Sequence, residues 1–310
     1  MNDTSLNITV MNDIALRLPR SLLHQRILDW YAQEARDLPW RAPDTSPWGV
    51  LVSEVMLQQT PVVRVEPVWR LWLSRWPSPA ALAASTTGDA VRAWGRLGYP
   101  RRALRLHAAS MAIVERHGGE VPDTEEKLLE LPGVGTYTAA AVATFAFGRR
   151  ATVIDTNVRR VLARVVGGVA LAAPFLTRAE TDLATDLLPQ GDDLAPTWNA
   201  AVMEVGALVC SARSPRCPDC PVHDLCTWQL AGRPAYEGPV RRTQSWLGTD
   251  RQCRGAIMAV LRESKGSVTA LEVGAAWSMD DTQRDRCLDS LVADGLVEPL
   301  PRNRFRLPKH

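Results

Sequence analysis

Apolar residues recur at helical spacing along most of the chain, and proline or glycine breaks separate one apolar segment from the next. In the stretch 21–35 the apolar side chains stand three or four residues apart behind a serine that suits a helix N-cap. The same spacing predicts further helices over 48–59, 65–75, 101–116, 124–130, 136–147, 156–166, 178–188 and 196–209. Because alternating strand patterns are scarce before residue 250, the sequence predicts an all-α body.

The pattern changes after residue 230, where a polar segment, 231–248, predicts a linker. The tail, 249–310, contains these predicted elements in order: helices over 254–263 and 283–294, then strands over 295–298 and 304–307. Helices followed by a hairpin are typical of a small winged-helix-like module, and a helical cap without DNA contact is the alternative interpretation. At the other end, residues 1–20 predict a flexible leader without the features of a signal peptide.

The composition is that of an ordinary globular protein and argues against a membrane-spanning one. The chain has 310 residues, of which 46% are hydrophobic and 23% charged, and its net charge is +2, which is ordinary for a globular protein. Because no apolar run approaches the roughly 20 residues that span a bilayer, we expect a cytoplasmic protein without a membrane partner. Arginine dominates the basic residues, and pairs such as Arg159-Arg160 suit phosphates, although solvated helix ends are the simpler interpretation.

Four of the six cysteines fall within seventeen residues, in the spacing C-x6-C-x2-C-x5-C. They are Cys210, Cys217, Cys220 and Cys226. Thiolates this close together suit a tetrahedral zinc ion or a [4Fe–4S] cluster, and a single C-x2-C with wider flanking gaps favours the cluster. Cys253 and Cys287 lie at apolar helical positions in the tail, so we expect packed thiols there.

A tight turn, Leu131-Pro132-Gly133-Val134-Gly135, separates two helical patterns, and a lone acid, Asp155, follows an apolar stretch further on. Glycines let the backbone approach a partner, and the next helix directs its positive end to the same place. A phosphate suits such a position. The stretch therefore predicts a backbone contact with nucleic acid and a carboxylate near the bound strand.

Taken in order, these motifs resemble the endonuclease III, or helix-hairpin-helix, superfamily of DNA glycosylases, and within it the adenine DNA glycosylases of the MutY type. The matching segments are LPWR (38–41), SEVMLQQTPV (53–62), GRLGY (95–99), LPGVGTYTA (131–139), IDTNVRRVLAR (154–164), NAAVMEVGALVC (199–210) and the cysteine loop. The resemblance implies a two-lobed glycosylase body over 21–230 with a [4Fe–4S] loop. One lobe has six helices over about 45–155, and the cluster lobe combines 21–44 with 156–230.

The resemblance also implies a pair of catalytic carboxylates. Glu54 matches the general acid that protonates the departing adenine, and its apolar surroundings disfavour the charged form. A glutamate that satisfies local N–H groups near a helix N-terminus is the alternative. Asp155 matches the carboxylate that stabilises the oxocarbenium-like sugar, and it also suits a helix N-cap. Asn157 is expected to orient a water molecule or the aspartate.

Tyr137 stands where the lyase members of the superfamily carry a lysine. A tyrosine cannot form a Schiff base with the sugar, so we predict base excision without strand cleavage. Its hydroxyl suits a hydrogen bond to Asp155, and a packing role is the alternative. A lysine elsewhere in the chain leaves weak lyase activity open.

The remaining expected site residues are contacts to DNA. Glu204, Trp40 and Arg41 match a pocket for the flipped adenine, and Gln59 and Tyr99 match residues that fill the gap and touch the opposite purine. The turn at Gly133, Val134 and Gly135 is expected to bind a phosphate together with a monovalent cation. Arg213 and Arg216 are expected to meet phosphates, and surface arginines without a role are an equal alternative.

The sequence departs from many adenine glycosylases in its tail, which is too short for the Nudix-like domain that recognises 8-oxoguanine in those proteins. Recognition of that base therefore falls to the body or the tail, or is weaker. We expect a monomer that acts on double-stranded DNA with adenine opposite 8-oxoguanine or guanine. The alternatives are a thymine glycosylase for G·T mismatches, which has little need of Glu54, and a non-catalytic iron–sulfur DNA-binding regulator.

Overall fold

The computed structural model describes residues 19–191, 193–236, 238 and 246–309. The predicted leader over 1–20 lies outside the described residues except for its last two positions. Residues 237 and 239–245 of the predicted linker also lie outside them.

Helices dominate the described residues. In chain order they are α1 Arg20–Glu34, α2 Pro47–Leu57, α3 Val62–Arg75, α4 Pro79–Ala83, α5 Thr87–Trp94, α6 Arg101–His117, α7 Glu125–Leu129, α8 Thr136–Phe147, α9 Thr156–Val165, α10 Arg178–Asp186, α11 Ala195–Leu208, α12 Thr227–Leu230, α13 Asp250–Glu263, α14 Ala270–Ala276 and α15 Asp281–Ala293. The all-α prediction is confirmed, and α4, α5, α12 and α14 are helices that the apolar pattern did not predict. Within the part of the chain that the structure describes, none of these helices has the length and apolar character needed to cross a membrane.

The described residues form two compact units. The first comprises 19–45, 123–125 and 136–236, and the second comprises 46–122, 126–135 and 246–309. In the first unit α1, α9, α10 and α11 enclose one apolar core, and fully buried members include Leu23, Leu187 and Val205. Burial of this apolar surface is the main stabilising contribution to the unit.

Residues 136–155 belong to the first unit, whereas the sequence placed them in the six-helix lobe with a boundary near 155. The reason is the small-residue face of α8. Ala140 and Ala141 pack with Ala151 and Val153, and Met203 of α11 packs against the same group. The second helix of the hairpin thus shares a core with the segment that leads to Asp155.

Tryptophans build much of the core of the second unit. The rings of Trp72 and Trp76 meet edge to face at 4.6 Å, and those of Trp72 and Trp94 meet at 5.7 Å. The indole N–H of Trp48 donates to the carbonyl of Trp76 at 3.0 Å. Such pairs contribute beyond area burial alone, and they fix the start of α2 against the end of α3.

The tail has the order α13, β1, α14, α15, β2, β3, which is the order of a winged helix. Its strands are β1 Val268–Thr269, β2 Glu298–Leu300 and β3 Arg304–Arg306, and they form an antiparallel sheet in the order β1-β3-β2 with Pro299 opposite Phe305. The first hairpin strand begins at Glu298, not at 295 as predicted. The segment before it completes the end of α15, because Leu296 N–H donates to the carbonyl of Leu291 at 3.0 Å.

The tail packs within the second unit. The N–H of Gly88 on α5 donates to the carbonyl of Pro308 at 2.8 Å. Arg92, also on α5, donates to the carbonyls of Arg262 at 3.1 Å and Ser264 at 2.8 Å. These contacts attach the tail to α5 through backbone carbonyls of the tail. Tail side chains add to them, because Arg262 Nη1 donates to the carbonyl of Gly95 at 2.5 Å and Asp294 pairs with Arg101 at 3.2 Å.

Candidate active site

Asp155 is the N-cap of α9, so the structural and the catalytic interpretations of this residue are compatible. One carboxylate oxygen accepts the N–H of Val158 at 2.7 Å, and the other accepts the Nδ2 of Asn157 at 2.7 Å. Burial raises the pKa of Asp155, while the hydrogen bonds from Val158 and Asn157 act in the opposite direction. The result is a fixed, partly desolvated carboxylate at a helix N-terminus.

Arg160 holds Asn157 from the other side, a contact that the sequence pattern did not indicate. Its Nη2 donates to Asn157 Oδ1 at 2.7 Å, and its Nε donates to the carbonyl of Cys210 at 2.6 Å. A continuous series of hydrogen bonds therefore runs from Asp155 through Asn157 and Arg160 to the first cysteine of the loop. Arg159 also faces inward, where it pairs with Glu180 at 2.8 Å, so this arginine pair is neither a solvated helix end nor a surface patch.

Glu204 on α11 is the most enclosed carboxylate of the first unit, with 1% of its side chain exposed. Arg36 donates to it through Nε at 2.5 Å and Nη2 at 3.0 Å, and Arg41 donates at 2.9 Å. Burial tends to raise the pKa of Glu204, but these two arginines outweigh it and leave the pKa below its ordinary value. Glu204 and Arg41 thus come together as expected, beside the buried Trp40; Arg36 is an additional member that the motif did not indicate.

The four clustered cysteines line one cavity that is partly open to solvent. Arg164 lies at its wall, with Nη1 3.3 Å from Cys210 Sγ. Burial raises the pKa of Cys220 to about 12, and a bound cationic group would favour its thiolate. Among the described side chains, no group of three or more ligand residues is arranged to hold a metal ion.

The two arginines of the cysteine loop, Arg213 and Arg216, differ in their contacts with the rest of the protein. Arg213 is exposed. Arg216 is exposed as well, but its Nη2 donates to the carbonyl of Leu208 at 3.0 Å and its Nη1 lies 3.4 Å from Asp219. Arg213 is therefore the better placed of the two for a phosphate.

Glu54 lies in the second unit, in the second half of α2. The helix begins at Pro47 behind Ser46, whose side chain accepts the N–H of Gly49 at 3.2 Å. This position excludes the alternative of a glutamate that caps the helix N-terminus. Glu54 is 5% exposed within a helix that is buried from Trp48 to Met56, so its side chain is almost completely removed from solvent.

The turn before α8 has the geometry that its glycines indicated. Gly133 has φ +80°, and a Cβ at that position would lie 2.5 Å from the Cβ of Arg105, so no other residue fits. Val134 N–H donates to the carbonyl of Leu131 at 3.1 Å, and Gly133 and Gly135 are exposed. The turn presents backbone to solvent at the start of a helix, as a phosphate contact requires.

Comparison with known proteins identifies the family. Residues 52–176 match the model described as HhH-GPD superfamily base excision DNA repair protein. The chain is 52% identical over 291 residues to the adenine DNA glycosylase of Mycobacterium tuberculosis (strain CDC 1551 / Oshkosh), which covers 94% of this chain and 95% of that protein. It is also 52% identical over 282 residues to the adenine DNA glycosylase of Mycolicibacterium smegmatis (strain ATCC 700084 / mc(2)155), covering 91% and 94%.

Among solved structures, a thermostable thymine-DNA glycosylase superposes with a TM-score of 0.62 at 27% identity, over 68% of this chain and 97% of that chain. The identity to it is about half of that to the mycobacterial proteins. With the capped aspartate, the enclosed glutamate and the cysteine cavity on the same chain, these similarities show that the chain belongs to the adenine DNA glycosylase family of the HhH-GPD superfamily.

Proposed function

We propose that this protein is a monofunctional base excision repair glycosylase that removes adenine opposite 8-oxoguanine or guanine in double-stranded DNA. The observation that carries the proposal is the Asp155 carboxylate, which Val158 and Asn157 hold by two hydrogen bonds of 2.7 Å. Such a carboxylate suits a partner for the positive charge that develops on the deoxyribose as the base departs.

Adenine leaves poorly as an anion, so a proton must reach the base before or during bond cleavage. Glu54 is the proposed donor, because burial in α2 disfavours its charged form. General acid catalysis of this kind contributes roughly 10²- to 10⁴-fold in rate. Thymine departs as a stabilised anion and gains little from such an acid, so an enclosed Glu54 favours adenine over the G·T alternative.

Asp155 acts on the sugar in this proposal and must be ionised to do so. Its hydrogen bonds from Val158 and Asn157 favour the ionised form against the effect of burial. Water completes the reaction, positioned by Asn157. Tyr137 lies at the start of α8, where a lysine would be needed for strand cleavage, so we propose that the product is an intact strand with an abasic site.

The four cysteines of the loop are the proposed ligands of a [4Fe–4S] cluster, which no step of base release requires. The cluster would fix the loop that carries Arg213 near the DNA backbone. The turn at Gly133 to Gly135 is proposed to bind a second phosphate, with a monovalent cation at its carbonyls. Glu204, Trp40 and Arg41 are proposed to surround the flipped adenine, and we propose that a monomer carries out the reaction.

Four duplexes test the proposal: adenine opposite 8-oxoguanine, adenine opposite guanine, thymine opposite guanine, and thymine glycol. We expect abasic product from the two adenine duplexes, revealed as strand breaks only after alkali. Breaks without alkali would disprove the monofunctional assignment, and release of thymine but not adenine would favour the thymine glycosylase. Glu54→Gln and Asp155→Asn should each abolish adenine release; if either variant stays fully active, that residue does not have its proposed role.

A further inference from the structure

The two residues assigned to the opposite purine have an unusual backbone. Gln59 has φ +54° and Tyr99 has φ +47°, both in the left-handed region that non-glycine residues rarely adopt. Gln59 is exposed, and Tyr99 is 46% exposed. Strained positions of this kind persist only where the surrounding structure fixes them. Both turns therefore need a group that holds them in place.

Arg102 on α6 binds both turns from inside the unit. Its Nη1 donates to the carbonyl of Gln58 at 2.7 Å, and its Nη2 donates to Thr60 Oγ1 at 3.0 Å, so the residues on both sides of Gln59 are held. The same Nη2 donates to the carbonyl of Gly98 at 3.1 Å, directly before Tyr99. One guanidinium group therefore connects the two strained turns.

The Nη1 atom of Arg102 has two further acceptors on α2. Arg102 is 6% exposed, and its Nη1 also donates to the carbonyls of Val55 at 2.9 Å and Met56 at 3.1 Å. Its plane lies over the rings of Trp94 at 5.2 Å and Tyr99 at 5.6 Å. Burial lowers the pKa of Arg102 to about 10, so the group stays charged at neutral pH and keeps all of its donors.

We propose that Arg102 is a positioning residue that holds Gln59 and Tyr99 in the conformation in which they contact the base opposite the excised one. This inference rests on the proposed function and deepens it, because it assigns opposite-base recognition to a pre-formed part of the second unit. Lysine cannot replace the guanidinium, since a single ammonium group lacks the planar fork that reaches both turns. Without the fork each turn relaxes independently, and the two side chains lose their fixed spacing.

The test compares the full-length wild type with Arg102→Lys and with a matched control, Arg92→Lys. The guanidinium of Arg92 also donates to backbone carbonyls in the second unit, but these belong to Arg262 and Ser264 and not to the turns of Gln59 and Tyr99. Binding is measured on duplexes that carry a non-hydrolysable adenine nucleotide opposite 8-oxoguanine, guanine or an abasic analogue. Thermal unfolding and single-turnover adenine release from the cleavable 8-oxoguanine duplex are measured alongside.

Arg102→Lys should weaken binding to the 8-oxoguanine duplex by roughly 10- to 100-fold, as expected when the two side chains lose their polar contacts with the base. Binding to the abasic-analogue duplex should stay near the wild-type value, because Gln59 and Tyr99 have no base to contact there. Arg92→Lys should leave the ratio between the two duplexes unchanged. In a Gln59→Ala/Tyr99→Ala background, Arg102→Lys should have no further effect on that ratio.

Equal losses on all three duplexes, or an effect that persists in the double-alanine background, would show that Arg102 is only a structural residue. If Arg102→Lys does not fold, Thr60→Val replaces it, because it removes the hydroxyl that accepts from Arg102 and donates to the carbonyl of Gln58 at 3.2 Å. A Thr60→Val protein with an unchanged ratio would equally contradict the inference. If the wild type releases no adenine, the proposed function fails, while the binding ratios still decide the role of Arg102.

Discussion

Replacing Gly206 by alanine should damage the active site through a single methyl group. Gly206 lies on α11, where it faces the first turn of α9. A Cβ at this position would lie 2.6 Å from the Cβ of Asn157 and 3.0 Å from its Cα and carbonyl oxygen. Ordinary van der Waals contacts of a Cβ lie at 3.4–4 Å, and backbone atoms cannot rotate away. The two helices must therefore separate by about 1 Å at the residue that holds Asp155.

The size of the effect follows from that displacement. Overpacking typically costs about 1 to 3 kcal/mol, and the gain in helix propensity from glycine to alanine offsets up to about 1 kcal/mol of it. We expect Gly206→Ala to unfold at a lower temperature, with a net loss of about 0 to 2 kcal/mol. A catalytic group misplaced by about 1 Å costs on the order of 10²-fold in rate, so adenine release should fall far more than stability does.

Gly255 on α13 is the matched control, because it is also helical and a Cβ there meets nothing within 4 Å. Gly255→Ala should be neutral or stabilising by up to about 1 kcal/mol and leave activity unchanged. Single-turnover adenine release at saturating enzyme and thermal unfolding are measured for both variants. Wild-type rates in Gly206→Ala would refute the claim that close packing of α11 against Asn157 positions Asp155, the proposed catalytic carboxylate.

Three further changes have directions set by the structure. Burial raises the pKa of Asp155. The free energy of unfolding of the wild type relative to Asp155→Asn, measured by denaturant titration, should therefore decrease from about pH 4 to neutral pH. An increase over this range would contradict the conclusion that burial disfavours the charged carboxylate. Glu204→Gln leaves two arginines without their partner, and since these are about one-third exposed we expect the free energy of unfolding to fall by about 1 to 3 kcal/mol at pH 7. Because the pKa of Glu204 is lowered, the difference between wild type and variant should shrink as the pH falls below about 4.5. A difference that does not depend on pH would contradict the ion pairs. Arg251 of the tail lies 4.8 Å over the Tyr99 ring. Arg251→Ala should therefore weaken binding to an 8-oxoguanine duplex roughly two- to fivefold, while the tail control Arg286→Ala should not. Equal effects of the two variants would show that the tail has no role in recognition of the opposite base.

The long helices were predictable because each buries one continuous apolar face. Helices α4, α5, α12 and α14 were not, and for α4 the reason is that the prolines in the segment Pro77-Ser78-Pro79 suggested a break. In the structure Ser78 is an N-cap whose hydroxyl accepts the N–H of Ala81 at 3.3 Å, and Pro79 is the first residue of α4. Proline at that position starts a helix as readily as it ends one. Strand β1 has only two residues and is defined by its pairing with β3. No local sequence pattern indicates this pairing.

Candidate site residues could be proposed from the sequence where a residue type by itself indicates a chemistry. An acid at 54, an acid at 155 and four cysteines in a loop each indicate a narrow range of chemistry, and the structure shows the acids enclosed or capped and the thiols around one cavity. The residues that hold them were not predictable. Arg36 contacts Glu204, which lies far away in the sequence. Arg160 contacts Asn157 one helix turn before it, and this contact depends on the direction of both side chains.

The use of arginine explains why the composition was a poor guide to the DNA-facing surface. Arg102 donates to the last carbonyls of α2, the helix that carries Glu54. Arg160 donates to the carbonyls of Gly206 and Cys210 at the end of α11, the helix packed against Asp155. Helix C-termini leave carbonyls without partners and carry partial negative charge, and a planar fork can satisfy several of them at once. Part of the arginine content thus stabilises the helices that carry or contact the proposed catalytic acids. A net charge of only +2 is therefore consistent with an enzyme that acts on DNA.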